Sequence, residues 1–171
     1  DKVTTRWAGL GEALEGNSLV QSDYAILFGQ ALPKTAVCSM RLDPQAQEML
    51  RYAVANHYWA NLVLDELPIW AMIGETREAP RELSAAPSNA SDAGRGEQLQ
   101  HLLFTHKRFS IAMNGDRLIE VNMTHEDPVR IVAHERIDMT YEVEWHNTTK
   151  PFSHRFHRYL DQDFFEHQIH W

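Results

Sequence analysis

Two pairs of histidines, His154/His157 and His167/His170, stand three residues apart. On a helix such a pair shares one face and can share a metal ion. A metal site needs a third and usually a fourth ligand, and the sequence fixes neither. No metal and no cofactor is therefore assigned. The acidic groups Asp65/Glu66 and Asp161/Asp163/Glu166 have the donors for acid-base work or calcium binding, but nothing sets their mutual distance. Turn-forming and solvated roles account for them more simply. The chain has no Gly-x-Ser-x-Gly, His-Glu-x-x-His, phosphate-binding loop or Gly-x-Gly-x-x-Gly. No catalytic residue and no small-molecule substrate follow from it.

Three N-glycosylation sequons are present: Asn89-Ala90-Ser91, Asn122-Met123-Thr124 and Asn147-Thr148-Thr149. They point modestly to a lumenal or extracellular setting. Asn89 falls in a polar stretch, Asn122 on the polar side of a strand, and Asn147 just past another strand, so all three are expected to be accessible. The single cysteine, Cys38, is open to two readings. It is a buried free thiol acting as a small hydrophobe, which composition favours, or half of a disulfide whose partner lies outside these residues.

The histidines also carry bulk charge. The formal charge is −8, from 16 Lys and Arg against 24 Asp and Glu. Protonating all ten histidines would bring it to +2. With ordinary imidazoles, most of that change falls between about pH 7 and 5.5. The acidic balance and lack of a basic stripe exclude nucleic acid as a partner. With 43% hydrophobic residues, the 171-residue chain can bury one core. Its longest uncharged apolar stretch, Tyr52 to Leu64, has 13 residues, short of the roughly 20 that a spanning helix needs. No basic-then-apolar leader precedes Asp1; it is either removed or never present.

The elements that would position these groups are mostly strands. Asp43-Pro44 predicts a helix start, with Ala46, Met49, Leu50, Ala53, Val54 and His57 on one face and an end near Tyr58. Ala60–Leu64 and Ile69–Gly74 read as strands around a turn at Asp65-Glu66-Leu67-Pro68, with Pro68 breaking the pairing. From Thr76 to Gln98, Ala, Ser, Pro, Gly and charges dominate, which predicts a long mobile loop. Phe109, Ile111 and Met113 alternate with small or polar residues, as do Ile119, Val121 and Met123. Asn114-Gly115 between them suits a type I′ turn. A further strand runs from Ile137 to Trp145, and two more over Tyr24–Gly29 and Ala36–Leu42. The fold class is mainly β, sandwich-like, with one short helix. Pro151 to Trp171 differs again, being dense in aromatic rings mixed with His and Arg. That composition suits either packing on its own core or a membrane–water boundary.

Leu10-Gly11-Glu12-Ala13-Leu14-Glu15-Gly16, Asn56-His57-Tyr58-Trp59, Asp65-Glu66-Leu67-Pro68-Ile69-Trp70 with Gly74-Glu75, and Asn114-Gly115-Asp116-Arg117 with Val121-Asn122-Met123-Thr124 stand in this order along the chain. Together these segments resemble the transmembrane-9 superfamily, the nonaspanins. The segment richest in likeness is Phe152–Trp171, through Arg155-Phe156, Arg158-Tyr159-Leu160-Asp161, Phe164-Phe165 and His170-Trp171. The likeness runs along essentially the whole chain and is nearest to the member 3-like branch. The loop over 76–98 departs from it, being longer and richer in Ala and Ser. The resemblance implies a lumenal domain over 1–150 and a juxtamembrane segment over 151–171. Phe164, Phe165, Ile169, His170 and Trp171 would then approach the first membrane helix. It also implies residence in Golgi and endosomal membranes, membrane proteins as cargo, and a cysteine upstream of the chain as the partner of Cys38. It carries over no catalytic residue. The function expected is sorting or membrane localisation of other membrane proteins. The alternatives are the lumenal gate of a transporter or channel, and a lumenal enzyme or sugar-binding domain.

Overall fold

A computed structural model describes residues 5–6, 19–78 and 99–160. The described residues form nine strands and one α-helix, a mainly β domain. Strands β1 (Thr5–Arg6) and β2 (Leu19–Val20) pair with each other. The main sheet has five strands: β3 (Leu32–Arg41), β6 (Gly74–Glu78), β7 (Leu99–Asn114), β8 (Arg117–Arg130) and β9 (Arg136–Asn147). The long β7 is its axis. It pairs antiparallel with β8 and β6, and parallel with β9. β9 pairs in turn with β3 at the edge.

One face of this sheet is apolar, because Ile137, Met139, Tyr141 and Val143 alternate along β9 with Asp138, Thr140, Glu142 and Glu144. Two elements cover it. The helix α1 (Pro44–Ala55) seals one end, through a cluster of Leu42, Val54, Leu103, Ile131 and Ile137. The hairpin of β4 (Trp59–Leu64) and β5 (Leu67–Met72) forms the second layer at the other end. There Leu67 and Ile69 meet Phe109, Ile111, Val121, Tyr141 and Val143.

Helix α1 starts as its sequence dictates. The Asp43 carboxylate accepts the Ala46 N–H at 2.7 Å, and Pro44 takes a position whose N–H would be unpaired anyway. It ends at Ala55, three residues before the expected end. His57 adopts φ 53°, and its N–H and that of Tyr58 return to the carbonyls of Val54 and Ala53, which closes the last turn. Met49 and His57, expected on the covered face, are exposed.

Four other expectations are corrected. Pro68 does not break its strand: it lies in β5 opposite Val63. The reason is the tight turn. Asp65 and Glu66 both have positive φ, and Leu64–Leu67 closes the hairpin, so residue 68 falls where a strand N–H points away from its partner. The β7–β8 turn is centred on Gly115-Asp116, not Asn114-Gly115. Asn114 pairs with Arg117 and only Gly115 has positive φ, which is the type II′ pattern. Tyr24–Gly29 is not a strand. It ends in a turn with Gly29 at φ 68° and the Gln30 N–H bonded to the Leu27 carbonyl. Tyr24 nonetheless packs edge-on against Phe109 and Tyr141, and the Tyr141 hydroxyl bonds both backbone groups of Ala25. Finally, Thr76, Arg77 and Glu78 belong to β6. The rest of the expected loop, 79–98, lies outside the described residues.

Candidate functional site

The segment from Pro151 to Leu160 is folded down on the domain by two arginines. It consists of two single-turn 3-10 helices, Phe152–His154 and His157–Tyr159. Between them Arg155 turns inward and is only 4% exposed. Its Nη1 stands 3.0 Å from Asp65 Oδ2, and Nη2 donates to the Asp65 carbonyl. The rings of Phe152 and Phe156 flank the guanidinium at 4.8 and 5.1 Å. A planar, weakly hydrated cation between rings, with a carboxylate and a carbonyl in its fork, is what makes burial of this charge tolerable. The Asp65-Glu66 turn therefore presents both a side chain and a backbone acceptor to the segment.

Arg158 makes the second anchor, on β8. Its Nη1 donates to Glu120 at 2.7 Å and its Nη2 to the Asn122 side-chain oxygen at 2.9 Å. Lys150 reaches the other oxygen of Glu120 at 2.8 Å. Burial pushes the Glu120 carboxyl up, but Lys150, Arg158 and Asn122 together outweigh it and hold it below its usual range. Tyr159 lies against Trp70 of β5 at 6.1 Å, and burial raises its hydroxyl pKa.

Beside this clamp lies a half-open cleft of about 450 Å³. Its walls include Phe28 at the loop tip, Trp145 near the end of β9, and Phe152. Glu66, Asp116 and Arg117 stand on two hairpin turns at its rim. Phe28 and Trp145 are ring partners at 5.1 Å, and the Trp145 indole N–H is fixed by the Gln30 carbonyl at 3.0 Å.

The sequence candidates divide clearly. Asn122 is exposed on β8, but its amide is engaged by Glu120 and Arg158. Asn147 is exposed at the end of β9. Asn89 and Phe164, Phe165, Ile169, His170 and Trp171 lie outside the described residues. Cys38 is on the edge strand β3 and is exposed, so the buried-thiol reading is overturned; no disulfide is formed among the described residues. Asp65 and Glu66 do form a turn, as expected. His154 and His157 stack at 4.5 Å, while His167 and His170 lie outside the described residues. Among the described residues no group of three or more His, Cys, Asp or Glu converges on a metal position. Sequence reasoning picked out Arg155 and Arg158 only as part of a resemblance. Their partners are 90 and some 36 residues away, and no local pattern marks them.

These features define a mainly β domain whose aromatic and basic segment is locked to the β4–β5 turn and to β8. The Endomembrane protein 70 family profile matches residues 1–171, and the chain belongs to that family. It is 28% identical to transmembrane 9 superfamily member 2 of Arabidopsis thaliana, over 99% of the chain and 28% of that protein. It is 29% identical to transmembrane 9 superfamily member 1 of Rattus norvegicus, over 100% of the chain and 28% of that protein. It is also 29% identical to putative phagocytic receptor 1b of Dictyostelium discoideum, over 95% of the chain and 26% of that protein. The chain thus spans about a quarter of the length of these relatives. No solved structure matches it. Among the described residues no helix is long and apolar enough to cross a membrane.

Proposed function

We propose that this chain is the lumenal domain of a multi-pass protein of Golgi and endosomal membranes that sorts or localises other membrane proteins. The observation that carries the reading is the clamped segment. The segment that ends the described residues at Leu160 is held on the domain by Arg155 and Arg158. A load or ligand on the domain would then be transmitted to whatever follows. The relatives' names, transmembrane 9 superfamily members and a phagocytic receptor, support a receptor-like role. Three sequons and an acidic surface fit a lumenal setting. Cargo is expected to bind through protein surface rather than through chemistry.

The test removes this domain from the full-length protein and follows a client membrane protein. The expected outcome is mislocalisation of the client while its synthesis is unchanged. Normal client localisation rejects the reading.

A further inference from the structure

The cleft beside the clamp has the chemistry of a neutral ligand. A cation is disfavoured, because the Phe152 ring already carries the guanidinium groups of Arg117 and Arg155 at 5.4 and 4.8 Å. An anion is disfavoured, because Asp65, Glu66 and Asp116 all line the same cleft. What remains is a neutral molecule with an apolar face for Phe28 and Trp145, and with donors and acceptors at its edge for the charged rim. A sugar ring has that form: C–H groups on its face and hydroxyls around it. The platform is preformed. Phe28 stays half exposed at a glycine-dependent turn, and Trp145 is held by its bond to Gln30.

A source of such rings stands next to it. Asn147, the acceptor of the sequon Asn147-Thr148-Thr149, lies two residues beyond Trp145 on the same strand. Strand alternation puts the two side chains on one face, about 7 Å apart. Asn147 is exposed and its side-chain amide makes no hydrogen bond among the described residues, in contrast to that of Asn122. β9 ends beside the β7–β8 turn that carries Asp116 and Arg117, since Asn147 pairs with Met113.

We propose that Asn147 is N-glycosylated and that the first N-acetylhexosamine rings of its glycan pack into this cleft, over Phe28 and Trp145. The proposal rests on the lumenal reading above, since the donor is a lumenal polyprenyl-diphosphate oligosaccharide. Asn147 Nδ2 forms a bond to the anomeric carbon, the carbon–oxygen bond to the diphosphate breaks, and the amide loses one proton as the lipid diphosphate departs. Tethering makes the packing intramolecular, so weak contacts suffice to hold the glycan in place. The covered cleft joins the loop tip, both hairpin turns and Phe152 of the clamped segment, so an occupied glycan braces the clamp.

The test uses the whole 171-residue chain, secreted from cells that glycosylate and, in parallel, made in bacteria that do not. Site-resolved mass spectrometry is expected to find carbohydrate on Asn147. Thr149→Ala, which removes the sequon and keeps Asn147, is expected to lower Tm of the secreted chain by about 3 °C and to leave the bacterial chain unchanged. Phe28→Ala is expected to abolish most of that difference. Asp116→Asn, at a far more exposed position, is expected to reduce it by about half and serves if Phe28→Ala is not secreted. An unmodified Asn147, an equal Thr149→Ala effect in both chains, or a difference untouched by either cleft substitution overturns the proposal. None of these readouts involves a client protein, so the sorting reading fails or stands separately.

Discussion

His125 is the residue at which the sequence's electrostatic expectation and the folded chain part. The Met72 N–H donates to its Nε2 at 2.9 Å, and its ring packs on Phe104. Burial first, and the nearby Lys107 second, push its pKa down to about 4. Protonation would cancel the acceptor that Met72 uses. The unfolded chain takes up this proton near pH 6.5 and the folded chain does not. The stability that His125 contributes is therefore complete above pH 6.5 and is lost as pH falls towards 4. After discounting for partial exposure, the loss is about 2 kcal/mol. His125→Gln keeps an acceptor for Met72 and cannot titrate. Urea midpoints at pH 7.4 and 5.0 are expected to differ less in this variant than in the parent chain. Parallel falls in both would remove His125 from the account. Residue types alone made ten histidines look equivalent. Their separation depends on long-range neighbours that no spacing rule encodes.

At the scale of elements, Gly74 is a junction. It opens β6, pairs with Leu103, and brings β6 against helix α1. A Cβ at this position would run into the Leu102 carbonyl oxygen and the Val54 side chain. The first of these is backbone and cannot swing away. Gly74→Ala is expected to cost about 3 kcal/mol, read as a fall in the urea midpoint with an unchanged slope. A neutral result would mean that α1 and β6 are not in contact as described. Local chemistry explains which elements were legible from sequence. The Asp43-Pro44 start, the alternation over Ile119–Met123 and the strand over Ile137–Trp145 each follow from side chains within a few residues. The first half of β7 was not legible. Leu102, Leu103, Phe104, Thr105, His106 and Lys107 are all buried, so the strand shows no alternation there. Pro68 misled for a related reason: its place in the ladder depends on the turn register, and a proline by itself does not reveal that register.

For the whole molecule, the two elements that cover the sheet face and the segment clamped beside them have different holds. Helix α1 and the β4–β5 hairpin are held by apolar clusters, whereas the 151–160 segment is held chiefly by two arginines and their rings. That difference has a dynamic consequence. The segment closes over the β4–β5 hairpin through the Asp65 turn and Trp70, so the hairpin is the layer that releasing the segment would open first. In the double variant Arg155→Ala/Arg158→Ala, the segment loses both anchors while the two core clusters are untouched. Amide exchange across Trp59–Met72 is expected to accelerate at least about tenfold, as expected for a loss of about 1.4 kcal/mol of local stability. Amides of Phe109–Ala112 and Tyr141–Val143, at the centre of the sheet, are expected to keep their protection. If hairpin exchange does not change, the segment rests on the domain without bracing it. A rigid exit towards the rest of the protein would then be wrong. If the hairpin and central strands accelerate together, the segment is part of the global fold and the clamp has no separate mechanical role. Only the selective outcome agrees with a domain that passes force or ligand occupancy through Asp65, Glu120 and Asn122 to the chain beyond Leu160.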